Sequence, residues 1–197
     1  MFPMKALRLR KIEKLYFSYQ DIARALNISP NSARVAASRY VAAGILIRIR
    51  RNLYVLHEKW TAMPIEQKFT LANLIQVPSY VSLMTALSYY EVSTQIQQDF
   101  IESVAVRRSK ELEVGKTLFR YAKVKRNLYF GFIKTRGFFI AEPEKAFVDA
   151  VYFHSLGRLS ADLSSLDLRK LTGEKVFRFA RSFPAKTQEL VRKYEYS

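Results

Sequence analysis

Between Tyr16 and Leu56 the sequence carries a helix start, a helix stop, a second start, a second stop and then an alternating apolar and basic run. Few small folds satisfy all five. Ser18, followed three residues later by Asp21, resembles a capping box, in which each residue satisfies an amide left open at a helix start. The helix it predicts runs through Leu26, with Ile22, Ala23 and Leu26 on one face. Asn27-Ile28-Ser29-Pro30 then turns the chain. Ser29 can cap and Pro30 can open a second helix that runs to about Ala43, with Gly44 positioned to end it. Ile45 to Arg50 alternate apolar and basic residues, and Leu53 to Leu56 pair back across Arg51-Asn52, which predicts a β-hairpin.

On the second predicted helix, Ala33, Ala37, Tyr40 and Val41 form an inward stripe whose alanines permit close packing. Asn31, Ser32, Arg34, Val35 and Ser38 point outward, flanked by Ser29 and Arg39. Short polar groups and a forked donor near a helix N-terminus are what a major groove admits. Arg34 can pair bidentately with guanine, and Asn31 with adenine. Arg48, Arg50 and Arg51 share the hairpin with Asn52 in its turn, and would meet phosphates or a narrow minor groove. The expected architecture is a winged helix-turn-helix. The plainer alternative is a small helical domain with a solvated basic hairpin, since the same geometry also serves protein interaction.

Charge supports the first reading. The net charge is +16, and residues 1–60 carry +9 of it in under a third of the chain. A polyanion is the expected partner, double-stranded DNA first. No apolar run is long enough for a membrane span, and the opening residues are too charged for a signal peptide. There is no cysteine, which fits a reducing compartment, so the expected location is the cytoplasm.

Charge and hydrophobic period both change near residue 60, dividing the chain into a DNA-binding domain, 1–60, and a mixed α+β domain, 61–197. In the latter, 66–75 and 82–91 read as helices, and 100–141 alternate as strands. Turn signals at Arg126-Asn127 and Arg136-Gly137 predict an antiparallel meander of Thr117–Val124, Leu128–Lys134 and Gly137–Ala141. Pro143 then opens a helical C-terminal region broken near Gly157, Gly173 and Pro184.

Residues 103–136 hold ten Lys or Arg and two acids, interleaved with Phe119, Tyr121, Tyr129, Phe130 and Phe132. Arg107, Arg108, Lys123, Lys125 and Arg126 are candidates for further phosphate contact, while the aromatics read as core. Catalytic and metal residues are expected to be none, and no cofactor is implied. His57 and His154 lack metal-ligand spacing to another candidate, and no phosphate-cradling Gly loop or nucleophile elbow appears. Glu66-Gln67-Lys68 resembles a nuclease element but lacks an upstream acid. Glu142, Glu144, Lys145 and Asp149 have the spacing that caps and braces a helix after Pro143, with Phe147, Val151 and Tyr152 as its buried stripe.

With these residues in view, the sequence resembles the AbiEi antitoxins, transcriptional regulators of abortive-infection type IV toxin-antitoxin pairs. The N-terminal likeness lies in AGILIRIRRNLYVL. The C-terminal likeness lies in PSYVSLMTALSYY (Pro78 to Tyr90), LYFGF (Leu128 to Phe132) and AEPEKAFVDAVYF (Ala141 to Phe153), the last being the most specific. Asn52 stands where the family usually has Gly in the wing turn, and Glu91 where Gly normally follows the Tyr-Tyr pair. Asn tolerates the left-handed conformation. The resemblance implies autorepression of an operon that also encodes a nucleotidyltransferase toxin. It further implies binding as two copies on inverted repeats, and neutralisation without a stable antitoxin-toxin complex. Two alternatives stand beside it: a solitary regulator whose second domain serves dimerisation or ligand sensing, and a nucleic-acid-processing enzyme.

Overall fold

The computed structural model describes residues 6–95, 99–160 and 162–194. The first five residues of the charged opening segment therefore lie outside the described residues. The chain divides into two compact units. The first takes the residues up to Leu71 together with Val114–Lys116; the second takes Ala72–Glu113 and the residues from Thr117 on.

In the first unit a 3-10 helix, Ala6–Lys11, precedes α1 (Tyr19–Leu26) and α2 (Pro30–Ala42). The capping box forms as expected: the Ser18 hydroxyl accepts from Asp21 N at 3.3 Å, and the Asp21 carboxylate accepts from Ser18 N at 2.8 Å. Asn27 ends α1 in the left-handed conformation, φ 54°. Ser29 Oγ then accepts from Ser32 N at 3.1 Å, which caps α2 with Pro30 in its first turn. Gly44 has φ +68° with open space where a Cβ would stand, so backbone conformation alone calls for glycine after α2.

Strands β1 (Leu46–Arg50) and β2 (Leu53–Leu56) pair antiparallel, with a register irregularity between Arg48 and Arg50. The turn places Asn52 at φ 58°. Phe17 and Tyr54 exchange two backbone hydrogen bonds at 2.9 Å, pinning the hairpin to the residue before the α1 cap. Ile22, Ala23 and Leu26 meet Ala33, Ala37, Ile45, Leu46 and Leu56 in one core, with Tyr40 and Val41 packed at its margin. Burying such side chains contributes about 25 cal/mol per Å² of apolar surface.

Helix α3 (His57–Thr61) and the start of α4 (Ile65–Ile75) complete this unit. The buried Trp60 indole donates to the Gly115 carbonyl at 2.8 Å. Gly115 has φ +52°, and a Cβ there would stand 2.6 Å from Trp60 Nε1, so glycine is required on both counts.

The second unit contains β3 (Ser79–Val81), α5 (Leu83–Tyr89), β4 (Phe100–Ala105), β5 (Lys110–Val114), β6 (Thr117–Lys123), β7 (Phe132–Thr135) and β8 (Phe138–Ala141). Helices α6 (Pro143–Ser155), α7 (Gly173–Ala180) and α8 (Ala185–Arg192) follow. Six strands form one sheet in the order β5-β6-β4-β3-β8-β7. The pairs β3·β4 and β7·β8 are antiparallel, while β4·β6 and β3·β8 are parallel.

The expected meander is therefore corrected. Of the three segments expected to pair in sequence, only the last two do, β7 with β8 across Arg136-Gly137; the strands β4, β3 and β8 lie between β6 and β7. The chain leaves β6 through a 3-10 turn, Arg126–Leu128, and crosses to the far edge. Alternation identifies strands, but pairing order is non-local, and the three-residue β3 that separates the two halves has no run long enough to announce itself.

Helix α6 begins at Pro143 as expected, but it buries far more than a stripe: Glu144 through Val151 are all enclosed. Of the aromatics read as core, Phe119 and Tyr121 are buried, whereas Tyr129, Phe130 and Phe132 are half-buried; Phe132 stacks on Tyr80 at 4.6 Å with Tyr129 tilted against both. Gly173 opens α7 and does not interrupt it, because a helix N-terminus tolerates glycine.

Candidate nucleic-acid interface

The capped start of α2 sets the geometry of the exposed surface. Because Ser29 and Pro30 fix the first turn, Asn31, Ser32, Arg34, Val35, Ser38 and Arg39 all fall on exposed positions, and Ser29 is exposed beside them. Val35 is 52% exposed, an apolar side chain on an otherwise polar face. The Ser29 hydroxyl donates to Ser32 Oγ at 2.9 Å, and the Ser38 hydroxyl donates to the Arg34 carbonyl at 3.2 Å.

Arg34 does not project alone. Its guanidinium lies 4.4 Å from the centre of the Tyr19 ring, and Nη2 donates to Tyr19 Oη at 2.7 Å. Tyr19 is in turn held by the hairpin: its backbone N–H donates to Asn52 Oδ1 at 2.9 Å, while Asn52 Nδ2 donates to Gln20 Oε1 at 3.1 Å. Asn52, expected as a hairpin contact to DNA, thus has both amide groups directed to the start of α1. Arg48, Arg50 and Arg51 are exposed on the hairpin, Arg48 and Arg50 alternating with the buried Ile47 and Ile49.

No acid interrupts this surface within α2. The one acid of α1, Asp21, is occupied. Burial alone would push its pKa up, but hydrogen bonds from Lys14, from the Ser18 backbone and hydroxyl, and from Arg24 outweigh that and hold it well below the usual carboxylate range. Beside α2 an open groove of about 500 Å³ is lined by Arg8, Leu26, Ile28, Ser32, Val35, Ala36, Arg39 and Tyr40.

Sequence reasoning did not single out Arg8 or Tyr19. Arg8 lies in a 3-10 turn with no periodic signature, and Tyr19 is fifteen residues from the arginine it touches.

The second unit gathers its own basic cluster. The parallel β4·β6 pairing aligns Ala105 with Lys123, so the chain segments leaving these strands begin side by side. Arg107 and Arg108 follow one strand; Lys123 ends the other, with Lys125 and Arg126 beyond it, and all five are exposed. Gln76 Nε2 donates to the Arg108 carbonyl at 2.7 Å, and Ser109 Oγ accepts from Lys123 N at 3.1 Å, which fixes the backbone between them.

His57 and His154 are exposed on α3 and α6. Lys68 of the Glu66-Gln67-Lys68 run sits over the Trp60 ring at 5.5 Å. Among the described residues no group of three or more acids or histidines could hold a metal ion, and no helix is long and apolar enough to cross a membrane. Glu142 stands at the α6 N-cap without a side-chain capping bond, Glu144 Oε1 accepts from Thr172 N at 3.3 Å, and Lys145 pairs with Asp149.

Two short helices across a tight turn, followed by a basic hairpin and joined in sequence to an α+β unit, define the class: a helix-turn-helix protein with an appended mixed α+β unit. Residues 4–57 match the model of the family described as transcriptional regulator, AbiEi antitoxin. The match does not extend over Pro78–Tyr90, Leu128–Phe132 or Ala141–Phe153. A crystal structure of the RV2827C protein from Mycobacterium tuberculosis is similar over 98% of this chain and 76% of its own, with a TM-score of 0.63 and 12% identity. At that identity the likeness is one of fold. No curated protein matches the chain.

Proposed function

We propose that this protein is a sequence-specific DNA-binding repressor whose first unit is a winged helix-turn-helix, and that it serves as the antitoxin of a type IV toxin-antitoxin pair. The observation that carries the reading is the exposed face of α2. Asn31, Ser32, Arg34, Val35 and Ser38 are presented together with no acid among them, beside a hairpin bearing Arg48, Arg50 and Arg51. In this reading α2 enters the major groove, Arg34 and Asn31 address base edges, and the hairpin arginines hold phosphates. Arg107, Arg108, Lys123, Lys125 and Arg126 extend the phosphate contact. No reaction is assigned to the chain and no cofactor is needed. The family match at residues 4–57 supports the antitoxin role; in this reading the toxin is a nucleotidyltransferase neutralised without a stable complex, and two copies of the chain bind an inverted repeat. The division of labour at residue 60, DNA reading before it and antitoxin function after it, belongs to the same proposal.

The test is binding of the full chain to its own promoter fragment against scrambled duplex across a salt series. Preference that persists as salt rises supports a sequence reader; weak binding that collapses equally on both duplexes sinks it. Arg34→Ala should cost about 1–3 kcal/mol on the promoter and relax sequence choice, whereas Arg51→Ala should weaken both duplexes alike. Equal loss on both for Arg34→Ala would remove it from base reading.

A further inference from the structure

We propose that Tyr19 is a specificity-determining positioning residue: it holds Arg34 in the orientation that reads a guanine, and the hairpin turn sets that orientation through Asn52. The inference rests on the DNA-reading proposal and adds to it a residue on a different helix that touches no base.

An unrestrained arginine loses rotamer freedom when it is fixed on a base. Here much of that cost is met before binding. The guanidinium carbon lies over the Tyr19 ring, 4.4 Å from its centre, and Tyr19 Oη accepts one N–H from Nη2 at 2.7 Å. A guanidinium has five N–H donors, so one bond to Tyr19 leaves a forked pair for O6 and N7 of guanine. Tyr19 can play this part because it is itself fixed. It is the first residue of α1, the Ser18–Asp21 capping box sets its backbone, and Asn52 Oδ1 takes its N–H at 2.9 Å. Asn52 in turn adopts the left-handed conformation of the turn, φ 58°, which aims its amide at α1. A continuous chain of contacts, Asn52 to Tyr19 to Arg34, thus links the hairpin turn to the exposed face of α2. The hairpin contributes to sequence choice as well as to affinity.

The experiment begins by selecting duplexes from a randomised pool with the full-length protein. Affinities of the enriched duplex and a scrambled one are then measured for wild type, Tyr19→Phe, Arg34→Ala and the double variant. Tyr19→Phe keeps the ring and removes only the bond to Nη2; circular dichroism and an unchanged thermal midpoint verify the fold. We expect Tyr19→Phe to lose about fivefold in discrimination, the scale of one ordinary hydrogen bond exposed to solvent, and to lose nothing further in the Arg34→Ala background. Replacing the guanine read by Arg34 with 7-deazaguanine, which lacks N7 but keeps O6, should likewise shrink the difference between Tyr19→Phe and wild type, a response that general damage to α1 would not produce. If a sequence is enriched but Tyr19→Phe discriminates as well as or better than wild type, or costs the same with and without Arg34, the positioning role is overturned and the DNA reading stands. If no sequence is enriched, both fall together.

Discussion

The Lys145 ammonium meets the Asp149 carboxylate one turn further along α6, and neither side chain exposes any surface. Asp149 also accepts from Tyr80 Oη at 3.0 Å and Ser82 Oγ at 2.9 Å, and Lys145 Nζ donates to Tyr80 Oη at 2.9 Å. Rings of Tyr80, Phe130 and Phe183 surround the ammonium at 5.0–5.4 Å. Burial pushes the lysine pKa down and the aspartate pKa up, while their mutual attraction opposes both shifts. The network joins α6 to β3 and holds the centre of the second unit.

Removing one partner of such a pair leaves a buried charge uncompensated. Asp149→Asn and Lys145→Met should each destabilise by about 3–5 kcal/mol in denaturant unfolding. The double variant Lys145→Met with Asp149→Asn keeps an acceptor for Tyr80 and Ser82 and carries no charge, so it should recover most of that loss. A double variant as unstable as the sum of the singles would show that the two residues act independently.

Glu91 follows α5 at φ 58°, a conformation that costs an L side chain roughly 1 kcal/mol and glycine nothing. Its side chain is 85% exposed and makes only a 3.5 Å surface ion pair with Lys170, whose Nζ also reaches the Glu91 carbonyl at 2.9 Å. Glu91→Gly keeps that second contact. It should therefore stabilise the protein by about 0.5–1 kcal/mol, measured as a higher denaturant midpoint with an unchanged slope.

Where the signal is local, the sequence reading and the structure agree. Ser18 with Asp21, Ser29 with Pro30, Gly44, and Asn52 in its turn each act within a few residues of where they stand, so their chemistry is visible without the fold. Two features were invisible for the opposite reason. The sheet order depends on β3, three residues that separate β4 from β8, and no periodicity reports which strands become neighbours. Lys145 and Asp149 have the i, i+4 spacing of a solvated ion pair, and only the enclosure of α6 turns that pattern into a buried network. The candidate site divides the same way: the exposed face of α2 follows from its period, whereas the support that Tyr19 gives Arg34 depends on how α1 packs against α2.

Asp21 carries a pH dependence whose direction follows from its lowered pKa. A carboxyl whose folded pKa lies below its unfolded value contributes stability above the unfolded pKa, about 4, and loses it as pH falls through the folded value. The start of α1 should therefore weaken only in acid. Comparing wild type with Asp21→Asn from pH 7 to pH 2, the difference in unfolding free energy should shrink below pH 4 and stay constant above pH 5. A difference that instead changes between pH 5 and pH 7 would refute the assignment.

The cluster at the ends of β4 and β6 yields a prediction about salt. Arg107, Arg108 and Lys125 are exposed, and the Gln76 and Ser109 contacts hold the backbone at Arg108 and Lys123, so these charges can be removed without disturbing the core. Each phosphate contact releases condensed counterions, contributing about 0.9 to the slope of log affinity against log salt. If all three meet phosphates, replacing them with alanine should reduce that slope by about three and weaken promoter and scrambled duplex in equal proportion. An unchanged slope with unchanged affinity would remove these three residues from the DNA contact. A loss restricted to the promoter would mean instead that the cluster takes part in sequence choice, which a set of phosphate contacts from strand ends does not explain.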